Sequence, residues 1–189
     1  MSVLGVSLSP SHSFSKTPTP SISLLPNLGV KGDAHAGATV QHRPHQSLSP
    51  PRPNLRQVHL MQSEILASVG TEAIGKPMKP GELGENITTT GVDLLSLGKG
   101  AKLRFIDPAA GAGDDAVATI QVTGLRDAGP QIDKFRTGLR EKFVVRDGDR
   151  GVVGRRAGIM GIVESGGEVK PGMKIVVEQA PVYQKLECV

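Results

Sequence analysis

The chain has 189 residues, with 22 basic and 18 acidic side chains and a formal charge of +4, a length that suits one domain. One Tyr, four Phe and no Trp argue against a nucleic-acid surface of basic residues interleaved with stacking aromatics. The single cysteine, Cys188, excludes an internal disulfide framework and any CxxC zinc or redox site. No apolar run reaches the roughly 18 residues of a membrane span. The first eight residues carry neither the basic nor the sustained apolar region of a signal peptide, so a cytoplasmic protein with no membrane partner is expected.

Residues 3–8 alternate apolar with small or polar side chains (Val3, Leu4, Val6, Leu8), and residues 21–25 do likewise with Ile22 and Leu24. Both predict short strands, joined by a loop over residues 12–20. Residues 41–53 contain Pro44, Pro50, Pro51 and Pro53 and predict a proline-rich loop insertion. Residues 55–61 place Arg56, Val58 and Leu60 on one face and Leu55, Gln57, His59 and Met61 on the other, which predicts a strand. Ser63 is the expected N-cap of a helix that turns Ile65, Leu66 and Val69 to one side. A turn region follows over 75–84, then strands over 85–89 and 101–106. The Gly- and Asp-rich residues 107–115 predict a hairpin tip before a strand over 116–125. Ile132, Phe135, Leu139 and Phe143 predict one helix over 131–144, or two short ones broken near Gly138. Residues 157–163 read as a buried strand, 165–167 as a turn and 174–178 as the last strand. Short strands, glycine turns and few helices predict a mainly β fold, a closed β-barrel with helical decoration. Residues 1–180 form the domain, and 181–189 a loose tail that keeps Cys188 away from any site.

Four segments carry residue types suited to chemistry. In Gly32-Asp33-Ala34-His35-Ala36-Gly37 the imidazole and carboxylate can hold a metal, orient a ligand or move a proton; equally, the Asp side chain can simply close a glycine turn on its own backbone. His35, His42, His45 and His59 are too irregularly spaced for a tight metal site, so no metal ligand is assigned. His59 on a strand reads also as a hydrogen-bonded wall residue. Gly81-Glu82-Leu83-Gly84-Glu85-Asn86-Ile87-Thr88 can present amides to an anion, or be a tight turn capping a strand. Thr123-Gly124-Leu125-Arg126-Asp127 ends a strand with an arginine fork suited to phosphate or carboxylate, or with a surface Arg126–Asp127 pair. Arg155 and Arg156 can line the same mouth or merely flank an apolar strand. P-loop, GxSxG, HExxH and GxGxxG patterns do not occur.

Taken in order, these segments, with Phe14-Ser15-Lys16, Arg56-Gln57-Val58-His59-Leu60, Gln131-Ile132-Asp133 and Arg156-Ala157-Gly158-Ile159-Met160-Gly161, resemble the MOSC family, named for the C-terminal domain of molybdenum cofactor sulfurases. The chain is most similar to its stand-alone single-domain members. The resemblance implies a mixed barrel like that of pyruvate kinase and the anionic molybdenum cofactor (molybdopterin). It also implies a small-molecule substrate, handled by oxidoreductase or sulfur-transfer chemistry. It implies further that Lys16, Arg56, Asn86, Arg126 and Gly129 border the cofactor, and that His35, His59, Glu85 and Asp33 are the candidate catalytic groups. Lys16, Lys31 and the Asp33–His35 turn are expected to form one wall of an anion-binding pocket that Arg56 and Arg126 complete. A homodimer is left open.

The family's cysteine after Gly-Leu-Arg is missing. The stretch reads Asp127-Ala128-Gly129-Pro130-Gln131, so Gly129 stands where the resemblance expects the thiol that ligates molybdenum or carries sulfur, and glycine offers no thiolate. Two further readings follow. One is a barrel repurposed for metal-free acid–base catalysis on a small polar or anionic substrate. The other is a non-catalytic cofactor carrier.

Overall fold

The computed structural model describes residues 1–41, 49–109 and 117–189. In chain order its elements are β1 (Ser2–Leu8), β2 (Thr17–Thr19), β3 (Ile22–Leu25), β4 (Gly29–Val30), β5 (Val58–Gln62), α1 (Ser63–Ile74), β6 (Ile87–Thr90), β7 (Lys102–Ile106), β8 (Ala118–Leu125), α2 (Gln131–Phe135), β9 (Val144–Arg146), β10 (Val152–Arg155), β11 (Ile159–Ser165), β12 (Gly167–Val169) and β13 (Lys174–Glu178).

Seven strands close a mixed β-barrel in the order β13, β7, β8, β11, β5, β6, β1 and back to β13, with β2 flanking β1. A ring with an odd number of strands cannot close with every neighbour antiparallel. One parallel pair resolves the parity, and it is β5–β6. Parallel neighbours need a crossover rather than a tight turn, and α1 with the turns before β6 supplies it.

Local differences from the sequence-based expectations have simple causes. Ser63 is the first helical residue, not the cap, because β5 runs into α1 without a linker; Gln62 holds the cap position and makes no side-chain cap bond. Gly75 closes the helix in the left-handed region at φ 73°, which glycine adopts without strain. Val3 and Val6 both face the core, three residues apart, because a bulge between Val3 and Gly5 resets the alternation. The stretch 131–144 divides into α2 and a 3-10 turn, Arg140–Phe143, with Gly138 between them at φ 78°. The loop expected over 12–20 contains β2, and the turn expected over 165–167 runs into β12; both strands exist only because β1 and β3 supply partners. The loop expected over 107–115 and the insertion over 41–53 lie partly outside the described residues. At the base of the insertion Thr39 and Pro53 bridge antiparallel, and the Val40 amide donates to the Arg52 carbonyl (3.0 Å).

The barrel interior is apolar and mostly aliphatic, with Leu60, Leu103, Phe105, Ile120, Ile159 and Ile175 among its fully buried residues. A second apolar cluster lies outside the ring. There Met61, Leu66, Val69, Leu83, Ile132 and Phe143 bring together α1, α2 and the chain around Gly138. Residues 181–189 are not loose. The Lys99 amide donates to the Gln184 carbonyl (2.8 Å), Leu186 is buried in the barrel cluster, and Leu125 and Cys188 form a parallel bridge. Among the described residues no helix is long and apolar enough to cross a membrane.

Candidate functional site

Register places Val6, Ile87, Leu60, Ile159 and Leu125 in one row across five strands: Val6 pairs with Ile87, Ile87 with Leu60, Leu60 with Ile159 and Ile159 with Leu125. This row packs with the barrel core. Because side chains alternate along a strand, the residue beside each of these faces the other way. These are Ser7, Asn86, His59, Met160 and Arg126. The last four line one cavity of about 280 Å³ on the outer face of the barrel wall. The loop before β2 adds His12, Ser13, Phe14 and Lys16; His35, Arg56, Gly84 and Gln131 complete the lining.

The cavity's floor is organised by Asp33. Its carboxylate accepts from Lys16 Nζ (2.7 Å), Asn86 Nδ2 (3.0 Å) and the Ser9 amide (3.2 Å), and from the His35 amide (2.9 Å) and His35 Nδ1 (3.1 Å). Burial alone would raise the Asp33 carboxyl, but hydrogen bonds from His35 and the Lys16 ammonium hold it well below the usual carboxylate range. Asp33 closes its own turn, as the turn reading of the segment expects, and it also forms an ion pair with Lys16 and hydrogen-bonds the His35 ring. Asn54, which the sequence reading passed over, pins this turn beside Arg56. Its Nδ2 donates to the carbonyls of His35 (3.0 Å) and Gly37 (2.9 Å), and its Oδ1 accepts from the Arg56 amide (3.0 Å).

The glycines of residues 81–88 serve chain packing. Gly81, at φ 85°, lies so close to the Lys16 carbonyl that a Cβ would sit 2.4 Å from it, and Gly84, at φ 79°, does the same at 2.3 Å to the Phe14 carbonyl. The segment that carries Phe14 and Lys16 is thereby held over the wall. Glu85 lies behind the lining, fully buried. Its Oε1 accepts from the Gly81 amide (2.7 Å) and Thr88 Oγ1 (2.9 Å), and burial pushes its carboxyl upward. Asn86 is spent on Asp33, the Ser7 carbonyl (3.2 Å) and the His59 amide (3.2 Å). His59 Nε2 hydrogen-bonds the Ala157 carbonyl (2.8 Å), and burial, with Arg126 adding, keeps the ring well below its ordinary pKa. A neutral, carbonyl-anchored His59 suits a wall residue better than a proton carrier.

Lys16 is answered by Asp33, and Arg126 lies over the Phe14 ring (5.8 Å to its centroid). Among the described residues Arg56 Nε and Arg126 Nη1 are enclosed and have no hydrogen-bond partner. Burial brings the Arg126 guanidinium down to about 10, and Arg56 contributes to that shift. The sequence-level alternative for Arg126 is overturned: Asp127 pairs with Arg155 instead (2.7 Å). Arg156 Nε donates to the Lys142 carbonyl (2.7 Å), so neither Arg155 nor Arg156 lines the cavity. Lys31, expected on the same wall, is exposed and away from the lining. Gly129 lies nearby in sequence, and a Cβ there would meet nothing within 4 Å. His42 and His45 lie outside the described residues. His12 came from no motif; only the fold sets its ring edge-on to His35, with centroids 5.1 Å apart.

Neither family models nor curated protein sequences give a match to the chain. Solved structures do. The chain is similar to the YuaD protein of Bacillus subtilis, with a TM-score of 0.72 and 24% identity over 95% of this chain and 96% of that one. It is similar to YiiM from Escherichia coli, with a TM-score of 0.59 and 16% identity over 97% of this chain and 73% of that one. YiiM from Geobacillus stearothermophilus gives 0.58 and 16% over 94% and 73%. These likenesses establish the fold.

Proposed function

We propose that the chain is a MOSC-type barrel protein whose cavity binds a phosphorylated small molecule. The observation that carries this is that Arg56 and Arg126 both line the cavity and, among the described residues, neither is ion-paired. A guanidinium fork gives a phosphate charge-assisted bonds, and two forks on one cavity suit one phosphorylated ligand. The fold likeness to YuaD and YiiM supports the family reading at the level of architecture.

The molybdenum cofactor fits this cavity in part. Arg56 and Arg126 offer what a pterin phosphate requires. The metal end is not matched: Gly129 carries no thiolate, and the described residues contain no group of three or more His, Cys, Asp or Glu placed to hold a metal. Oxidoreductase or sulfur-transfer chemistry is therefore the portion of the family's repertoire that the residues present serve least. A second reading rests on the His35–Asp33 contact. A carboxylate on Nδ1 orients the imidazole for acid–base work on the bound molecule, and Lys16 keeps that carboxylate ionised. On this reading the protein catalyses a metal-free reaction. A carrier role would show the same binding with no turnover.

Calorimetry with inorganic pyrophosphate tests the binding. A dissociation constant that weakens steeply with added salt is expected; no heat at low ionic strength overturns the proposal. Gly129→Cys, made with Cys188→Ser, is expected to fold with its stability within about 0.5 kcal/mol of the parent, as for other substitutions that meet no neighbour, and to present one titratable thiol. A large loss of melting temperature would show that the space beside Gly129 is not open.

A further inference from the structure

The end of β8 carries the connection between the two unanswered guanidiniums. Thr123 Oγ1 donates to the Leu55 carbonyl (2.6 Å), one residue before Arg56, and Leu125 immediately precedes Arg126. On one edge this segment is held by β11, through Ile159 opposite Leu125 and through the Arg126 amide on the Gly158 carbonyl (3.0 Å). On its other edge β7 pairs with β8 only as far as Lys102 opposite Gln121. Without further cover, the main chain of 123–125 would be an open strand edge. The C-terminal segment covers it. The Leu125 amide donates to the Glu187 carbonyl (2.7 Å), and the Val189 amide donates to the Leu125 carbonyl (3.4 Å). Gly124 provides the seat: a Cβ there would lie 2.4 Å from the Glu187 carbonyl oxygen and 2.7 Å from a Val189 methyl. Leu186, buried in the barrel cluster, and the Lys99–Gln184 bond anchor the segment upstream.

We propose that residues 187–189 act as a strap that positions Arg126, and with it the anion affinity of the cavity, by completing the open edge of β8. The strap touches no ligand; its residues are positioning residues. A guanidinium fork is useful only when its donors meet the phosphate oxygens, and a displacement of about 1 Å in a supporting segment is enough to lose that fit. The strap contributes one strong and one weaker main-chain bond and no buried side chain beyond Leu186, so it is lightly held. The proposal rests on the binding reading above.

The test uses a chain truncated after Leu186, which removes both bonds to Leu125 while keeping the buried leucine, and independently the full chain with Gly124→Ala, whose methyl enters the seat. Both are expected to bind pyrophosphate about tenfold more weakly than wild type, the loss of one positioned charged hydrogen bond, and to speed hydrogen exchange at the Leu125 amide. In the Arg126→Gln background the truncation is expected to change affinity no further. Wild-type affinity in both variants overturns the proposal, as do losses from truncation and Arg126→Gln that simply multiply, because the strap then only seals an edge. If wild type itself fails to bind pyrophosphate, the binding reading falls and the strap proposal falls with it. If the truncated chain does not fold, Gly124→Ala alone decides.

Discussion

Replacing Arg126 with glutamine is expected to weaken pyrophosphate binding by about ten- to a hundredfold while raising the melting temperature. The two effects have opposite signs for one physical reason. A charged hydrogen bond to a bound phosphate contributes about 1.5–3 kcal/mol, and each 1.4 kcal/mol is tenfold in affinity. In the free protein the same guanidinium is a liability: burial brings its pKa down to about 10, Arg56 adds repulsion, and Nη1 has no acceptor among the described residues. Glu85 and Asp127 oppose the shift without cancelling it. A folded-state pKa below the unfolded value means that the fold disfavours the charged form, so the neutral amide relieves it. Arg126 is only half-buried by surface exposure, which keeps the gain in melting temperature small. Calorimetry and thermal melts of the same preparation read both effects. Lower stability with unchanged affinity would make Arg126 a structural cation and remove the main support for the proposed function.

Asp33→Asn is expected to cost about 3–5 kcal/mol of stability at neutral pH, the loss seen when one partner of a buried ion pair is removed. Lys16 and Asp33 have side chains 4% and 1% exposed, so the ammonium left behind has no solvent to turn to. Burial already depresses the Lys16 pKa, and Asp33 is the principal group opposing this. The variant also disturbs acceptors used by Ser9, His35 and Asn86. The pH dependence has a definite sign. The Asp33 carboxyl is depressed in the folded state, so its contribution is complete above the unfolded value of about 4 and is lost as pH falls below it toward the folded value. The stability gap between wild type and Asp33→Asn, measured by urea unfolding, should therefore be constant from pH 7 to about 5 and shrink below about 4. Glu64, Glu72, Asp107 and Glu141 are also held low, but both proteins share them and they cancel in the comparison. A gap that persists undiminished at pH 2.5 would refute the ion pair as the source of the loss.

Much of the barrel was legible because period-two alternation survives wherever one strand face meets the core. β3 follows from it nearly residue for residue, and the expected bounds of β1, β8 and β13 lie within two residues of those observed although β1 is bulged and β8 does not alternate. β2, β4, β9, β10 and β12 did not, since strands of two to four residues have too few turns of the pattern to register, and their ladder bonds come from partners remote in sequence. Candidate site residues were legible where a motif combined glycine with a charged group, as at Asp33, Glu85 and Arg126. What those motifs could not convey was division of labour. Glu85 and Asn86 belong to the frame: Glu85 Oε1 accepts from Gly81 and Thr88 while its Oε2 has no hydrogen-bond partner among the described residues, and Asn86 is committed to Ser7, His59 and Asp33. Arg56 and Arg126 are left facing the cavity.

The chain by itself determined the mainly β class, the absence of a thiolate at Gly129 and a set of candidate cations, because composition, alternation and residue type are local properties. Only the tertiary structure decided that the candidate site lies on the outer face of the barrel wall, that His12 lines it and Asn54 braces its Asp33 turn, and that the C-terminal segment returns to the edge of β8. Each of these depends on register between strands and on contacts dozens of residues apart, which no local pattern encodes. The clearest case is Cys188, read from the sequence as the end of a loose tail. An open strand edge offers unpaired amides and carbonyls, and the last three residues supply their partners.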